Sequence, residues 1–320
     1  MTDSSGAIGD PQWLRKRMEE DGYLYFERLV DLDQVHATKG DIVRILREHH
    51  IVEAAGPEAD GDALWSGGPQ PTEAEYMEVY DRIVRLESFQ ALARSPELVA
   101  VIEAICDEQV QVWEQQLVRL VYPDPEVAAA QGVGAHQDGD PKLGYRATRF
   151  YTGWISPMRI DESVGGLAVV PGSHRMGVLQ SAGTVASSAA RRSGAYGLDA
   201  GALEWVTVDY EPGSTVIFAC LTAHRGLPNR SDRIRLSCDF RYQPASETAS
   251  WLAHTLGPDV RRTAQQIDET VSRRALYVTT GATPEVVGQG RQRMLEERST
   301  TLERAQELVR EIGAGAVEGV

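Results

Sequence analysis

Cysteine, basic charge and uninterrupted apolar runs are all scarce in this 320-residue chain, and each shortage excludes a class of protein. Three cysteines, Cys106, Cys220 and Cys238, are too few and too scattered for a disulfide framework or a thiolate zinc site. They read as small buried apolar residues. No stretch approaches the roughly 18 apolar residues of a membrane span. The opening MTDSSGAIGDPQW carries neither a basic start nor an apolar run, so the expected location is cytoplasmic. Basic charge is short as well: 32 Lys and Arg stand against 47 Asp and Glu, a formal net charge of -15. Phosphate backbones and acidic membrane surfaces both require a basic face, so neither nucleic acid nor membrane is an expected partner. Lysine occurs only at Lys16, Lys39 and Lys142; arginine carries the rest of the positive charge, a skew natural to a GC-rich genome.

What is present is enough apolar residue, 42%, to bury a substantial core. Residues 1–108 read as helices with one early strand at 23–30. Asp31 followed by Gln34 resembles a capping box, and Leu32, Val35, Ile42, Val43 and Leu46 then share one helical stripe. Residues 53–72 form a long loop of Gly, Pro, Ala and acids, and a helical stretch over 72–107 breaks at Ser95 and Pro96. The texture changes over 109–244 to short β-type runs at 110–122, 148–156, 166–170, 205–210, 214–222 and 233–243, separated by Gly and Pro turns. That pattern predicts an antiparallel sandwich or jelly roll. Residues 181–201 interrupt it with small residues, and this excursion and the 53–72 loop are expected to close over a substrate. Residues 245–320 return to helical patterning, clearest over 284–312, where Leu302, Ala305, Val309 and Ile312 make an apolar stripe. That helix is expected to dock on the barrel, with a homodimer contact as the alternative. The whole is read as a single domain, 1–320.

Three segments carry chemistry. The first is Gly134-Ala135-His136-Gln137-Asp138-Gly139-Asp140. On extended backbone, residues two apart project to one side, so the His136 imidazole and the Asp138 carboxylate can converge on one ion. Alone, a His-x-Asp is more often a surface pair than a metal site. The second is a Pro-Gly turn at Pro212 and Gly213 leading into an apolar strand that ends at His224. Alone, that residue would read as a satisfied core histidine. Together the three form the two-histidine, one-carboxylate set expected of a non-heme iron(II) oxygenase. The third is the alternating run 233–242, which puts Arg233, Arg235, Ser237, Asp239 and Arg241 on one face and Ile234, Leu236, Cys238, Phe240 and Tyr242 on the other. An arginine inside a barrel can clamp a carboxylate through two parallel charge-assisted hydrogen bonds.

The ordered set His136-Gln137-Asp138, Trp154, Gly165-Gly166-Leu167-Ala168-Val169-Val170-Pro171-Gly172-Ser173-His174, His224, Asn229 and Arg235 closely resembles the phytanoyl-CoA dioxygenase-like family, as does the opening Asp21-Gly22-Tyr23-Leu24. The resemblance covers about residues 15–244. It implies a double-stranded β-helix (jelly roll, cupin-like) core, mainly β, with helices packed outside. It implies an iron(II) site at His136, Asp138 and His224, with 2-oxoglutarate and O2 as cosubstrates. Arg235 would bind the distal carboxylate of 2-oxoglutarate, Trp154 would lie beside the cosubstrate, and Gln116 falls where some relatives place a cosubstrate-binding glutamine. Gly226 and Tyr122 depart from the family, where a serine and a lysine are frequent. Related halogenases carry a small residue at the position of Asp138, so a carboxylate there argues against halogenation. Hydroxylation of a C–H bond in a small molecule, a natural-product intermediate, is the expected outcome; desaturation, epimerisation and cyclisation stay open. A non-catalytic metal-binding jelly roll is the alternative of another class. His174, in its Pro-Gly-Ser-His turn, reads as a structural corner rather than a ligand.

Overall fold

Capping chemistry starts the helices where the sequence places their signals. The computed structural model describes residues 1–53, 63–113, 116–123, 134–140, 149–179, 181–182, 197–198, 203–246, 293, 304, 306–308 and 310–311. Helix α1 (Pro11–Asp21) opens on proline, behind an Asp10 side chain that accepts from the Trp13 amide. Helix α2 (Leu32–Glu48) is capped by Asp31, whose carboxylate accepts from Gln34 N at 3.0 Å. Its expected stripe holds: Val35, Ile42, Val43 and Leu46 are buried and Leu32 is half-buried. Helix α3 (Glu73–Val84) has a reciprocal Thr72–Glu75 capping box. Helices α4 (Glu87–Leu92) and α5 (Pro96–Cys106) follow, and the break between them falls at Ser95, because Pro96 lacks the N–H that would continue the preceding helix.

The strands are β1 (Tyr23–Phe26), β2 (Val110–Val112), β3 (Leu117–Val121), β4 (Tyr151–Ile155), β5 (Leu167–Val169), β6 (Ser181–Ala182), β7 (Gly197–Leu198), β8 (Thr215–Ala219), β9 (His224–Gly226) and β10 (Arg235–Pro244). The main sheet runs β1-β8-β4-β10-β2, with β3 also paired to β10, and every pairing in it is antiparallel. Strands β5 and β9 form a second, smaller antiparallel pair. The architecture is mainly antiparallel β with helices, as expected. Two details differ. The 110–122 run is divided into β2 and β3, and 205–210 contributes only isolated bridges, Val206 to Val169 and Tyr210 to Ile160.

Strand β10 separates core from site. Leu236, Cys238, Phe240 and Tyr242 are fully buried on one face, where Phe240 meets Phe89 of α4 and the Tyr242 hydroxyl donates to Ala93 O at 2.7 Å. Arg235, Ser237, Asp239, Arg241 and Gln243 are buried on the opposite face. Residues 1–143 with 148–245 make one compact unit, which contains all of these elements; 144–147 with 246–320 make another. In that second unit, Leu308 is buried and Arg304 pairs with Glu307 and Glu311. The expected stripe Leu302, Ala305, Val309 and Ile312 lies outside the described residues, as do 54–62 and most of 181–201. Among the described residues no helix is long and apolar enough to cross a membrane.

Candidate active site

His136 and His224 are brought together by the backbone. His136 N donates to His224 O at 3.0 Å and His224 N donates to His136 O at 2.9 Å, so two segments 88 residues apart form one narrow antiparallel pair. Residues opposed in this way project side by side, and the two rings lie 4.3 Å apart. Each ring is oriented by its own chain: Nδ1 of His136 lies 2.8 Å from Gly134 O, and Nδ1 of His224 lies 2.9 Å from Thr222 O. A neutral imidazole bound in that way donates through Nδ1 and keeps the Nε2 lone pair for a metal. Asp138 Oδ1 sits 3.6 Å from His136 Nε2 and 3.8 Å from His224 Nε2. The three candidate ligand atoms lie within 4.8 Å of one another, and all three residues are buried.

The residue between the first two candidate ligands points away and anchors them. Gln137 donates to Gly177 O at 2.9 Å and Leu221 O at 2.6 Å, and accepts from Leu179 N at 2.7 Å. Asp138 is held at both oxygens: the Thr152 hydroxyl donates to Oδ2 at 2.8 Å and the Arg241 guanidinium to Oδ1 at 3.1 Å. Burial alone would raise the Asp138 pKa. The Arg241 guanidinium outweighs it and holds the carboxyl well below the usual carboxylate range. Burial, reinforced by neighbouring His136, pushes the His224 pKa down to about 3, so that imidazole is neutral at physiological pH.

These residues line a cleft with about 380 Å³ of atom-free space, together with Arg119, Trp154, Leu167, Phe218, Gly226, Arg235 and Asp239. Arg235 is 3% exposed, and its Nη1 donates to the carbonyls of Gly165, Gly166 and Leu227. Gly165 has φ +74°, and a Cβ there would lie 2.1 Å from Pro228 O, so only glycine lets this carbonyl cage close. Arg235 Nε is buried without a hydrogen-bond partner, and burial pushes the pKa down to about 10, which still leaves the group protonated. It is a fixed cation in the cleft wall with donor capacity to spare, as a carboxylate clamp requires. Asn229 pins the approach to it, donating to Val121 O and Arg233 O.

Trp154 also lines the cleft, with its ring 4.7 Å from that of Tyr210. Gln116 is not among the lining residues; it is buried just before β3, and neither end of its side-chain amide has a hydrogen-bond partner. Tyr122 lies away from the cleft, against Trp65. His174 sits apart from the other two histidines, its Nε2 3.0 Å from Glu19 O, which agrees with a structural corner. Arg233 is half-exposed beside Asp232. Two polar residues of the site carry no reading in the sequence: Thr152, and Arg119, which pairs at 2.8 Å with Asp239 of the polar strand face. The available signal was the single charged residue in the apolar run 117–121, which alternation turns to the same side as Ser237.

The phytanoyl-CoA dioxygenase family model matches residues 18–237. Two curated relatives, both named 1-deoxypentalenic acid 11-beta-hydroxylase, come from Streptomyces arenae and Streptomyces exfoliatus. Each is 26% identical, over 281 and 278 residues respectively, and each alignment covers 82% of this chain and 92% of the relative. Among solved structures, the epimerase SnoN in complex with Fe3+, alpha ketoglutarate and nogalamycin RO aligns with a TM-score of 0.52 at 20% identity, over 74% of this chain and 85% of that one. The apo form of the non-heme monooxygenase ThoJ aligns with a TM-score of 0.52 at 16% identity, over 76% and 84%. These two likenesses are of fold.

Proposed function

The chain belongs to the phytanoyl-CoA dioxygenase family, and from that premise we propose that it is an iron(II)- and 2-oxoglutarate-dependent oxygenase that hydroxylates a C–H bond of a small molecule. His136, Asp138 and His224 hold the metal, and the observation that carries this reading is their convergence within 4.8 Å in a buried cleft that also contains Arg235. The donor set fits iron(II): two imidazole nitrogens and a single carboxylate leave room for a chelating cosubstrate. When bound, iron(II) with 2-oxoglutarate supplies the means to activate O2 for C–H oxidation, releasing succinate and CO2.

The protein's own residues do the rest. Arg235 binds the distal carboxylate of 2-oxoglutarate, held in place by the carbonyls of Gly165, Gly166 and Leu227. Trp154, Leu167 and Phe218 give the cleft an apolar wall that excludes water and strengthens each charged contact inside it. Gln116 belongs to this reading through its buried, unmet amide alone. Functionally, we treat 1–320 as one oxygenase domain, with every proposed site residue in the unit 1–143 with 148–245.

The two relatives named as hydroxylases favour hydroxylation over desaturation, epimerisation or cyclisation, and favour a natural-product intermediate as substrate. The test is a panel of such compounds offered with iron(II), 2-oxoglutarate and O2. A substrate should stimulate succinate release and gain one oxygen atom. Stimulated succinate release with loss of two hydrogens, or with no mass change, would replace hydroxylation by desaturation or epimerisation.

A further inference from the structure

Arg241 makes a contact that the cosubstrate reading does not use. Its Nη2 donates to Asp138 Oδ1, the oxygen that faces both imidazole Nε2 atoms, and both side chains are 3% exposed. Orientation of the carboxylate does not require a charge there, since the Thr152 hydroxyl already holds Oδ2 at 2.8 Å. A guanidinium is costly to bury and cannot be deprotonated under physiological conditions. What Arg241 adds over a neutral donor is therefore a permanent positive charge. The two arginines that line the cleft are engaged elsewhere: Arg119 is paired with Asp239, and Arg235 with the carbonyls of Gly165, Gly166 and Leu227. The backbone fixes Arg241 in the middle of β10, hydrogen-bonded to Trp113 N at 2.8 Å and paired with Thr152 of β4.

We infer that Arg241 is a positioning residue that acts through Asp138 to favour the ferrous over the ferric state of the bound metal, an inference that rests on the metal-centre reading above. A fixed unit charge 3.1 Å from the Asp138 Oδ1 that would ligate the metal would repel a trivalent ion more than a divalent one. It also draws electron density from the carboxylate oxygen that would otherwise stabilise the higher charge. At the effective dielectric of a protein interior, one unit of charge difference at about 5 Å would change the ferric-to-ferrous ratio at fixed potential by roughly a hundredfold or more. An oxygenase of this type needs the divalent state to start each cycle, so such a bias protects the resting enzyme from oxidation.

The experiment loads wild type, Arg241→Gln, Arg241→Lys and Thr152→Val with iron(II) under anaerobic conditions, without 2-oxoglutarate. The ferric fraction is read by electron paramagnetic resonance across a mediator-poised redox titration, with thermal melting alongside. Arg241→Gln should raise the ferric-to-ferrous ratio at a given potential by roughly a hundredfold or more. Arg241→Lys should give a smaller rise, since it keeps the charge and loses the direct contact, and Thr152→Val a change well below that of Arg241→Gln. An Arg241→Gln protein that melts like wild type, binds iron and shows the wild-type ratio overturns the inference. If Arg241→Gln does not fold, a rise in Arg241→Lys that exceeds any change in Thr152→Val supports it, and the reverse order overturns it. Wild type that holds no iron overturns the metal-centre reading instead.

Discussion

Strand β10 has two faces that are equally buried and chemically opposite. Leu236, Cys238, Phe240 and Tyr242 are 0% exposed on the helix side, while Arg235, Asp239 and Arg241 are 3%, 7% and 2% exposed on the cleft side. Burial therefore does not by itself mark the core. On the helix side the Tyr242 hydroxyl is met by the chain's own backbone, donating to Ala93 O. On the cleft side Arg235 Nε, Ser237 Oγ and Asp239 Oδ1 have no hydrogen-bond partner. Buried polar groups without partners destabilise a fold, so their concentration on one face of one strand marks that face as built for ligands rather than for packing.

Substitutions on the two sides should separate ligand binding from stability. The largest effect is expected at the metal: His136→Ala or His224→Ala should remove iron-dependent turnover to the detection limit with melting little changed, because neither leaves a large core cavity. Full turnover in either variant at ordinary iron concentration would dissolve the comparison. Next comes Arg235→Ala, which strips a buried anion of its partner at a cost of roughly 3 to 5 kcal/mol. That corresponds to about two to three and a half orders of magnitude in 2-oxoglutarate affinity, with iron binding retained. Lysine should rescue it only in part, since it keeps the charge and loses the planar fork. On the other side, Phe240→Ala should cost about 3 to 5 kcal/mol of stability and leave the iron affinity of the folded fraction unchanged. Denaturant titration beside metal titration checks both.

Smaller effects sharpen the boundary. Arg233→Ala removes a half-exposed residue beside an exposed Asp232, and should leave both 2-oxoglutarate affinity and melting near wild type. A large cosubstrate defect there would reassign the clamp. The subtlest effect is on pH. In the metal-free protein the folded state holds the His224 pKa down at about 3, against 6.5 for an ordinary histidine. Below 6.5 the unfolded chain binds a proton that the folded one does not, so this residue's contribution to stability is complete above 6.5 and is lost as pH falls toward 3. His224→Gln should flatten the stability curve in that window.

Local signals in the sequence were legible in proportion to how local their physics is. Asp31, Thr72 and Pro96 mark helix starts through contacts within a few residues, and the alternation of 233–242 follows from strand geometry alone. The two candidate ligand segments were legible because each carries its own pattern, a His-x-Asp and an apolar run leading to histidine, although that run is not one strand: β8 ends at Ala219 and His224 opens β9 after a turn. What escaped depends on long-range pairing. The Arg241–Asp138 contact spans 103 residues and the Arg119–Asp239 pair spans 120, and no local pattern specifies either. The β9 strand escaped for a related reason: three residues after a turn show no periodicity until β5 and His136 pair with them. Gln116, assigned by resemblance, sits just before β3 with its amide buried but off the cleft wall.

The central claim is that one buried cleft holds iron through His136, Asp138 and His224 and 2-oxoglutarate through Arg235. Its most direct measurement is an anaerobic titration of the protein with iron(II) and then 2-oxoglutarate, watching for the weak visible charge-transfer band of the chelate. Wild type should develop the band with both components, Arg235→Ala only at much higher 2-oxoglutarate, and His224→Ala not at all. Wild type that binds iron and shows no band on adding 2-oxoglutarate would be a metal-binding jelly roll without oxygenase chemistry, and would contradict the account.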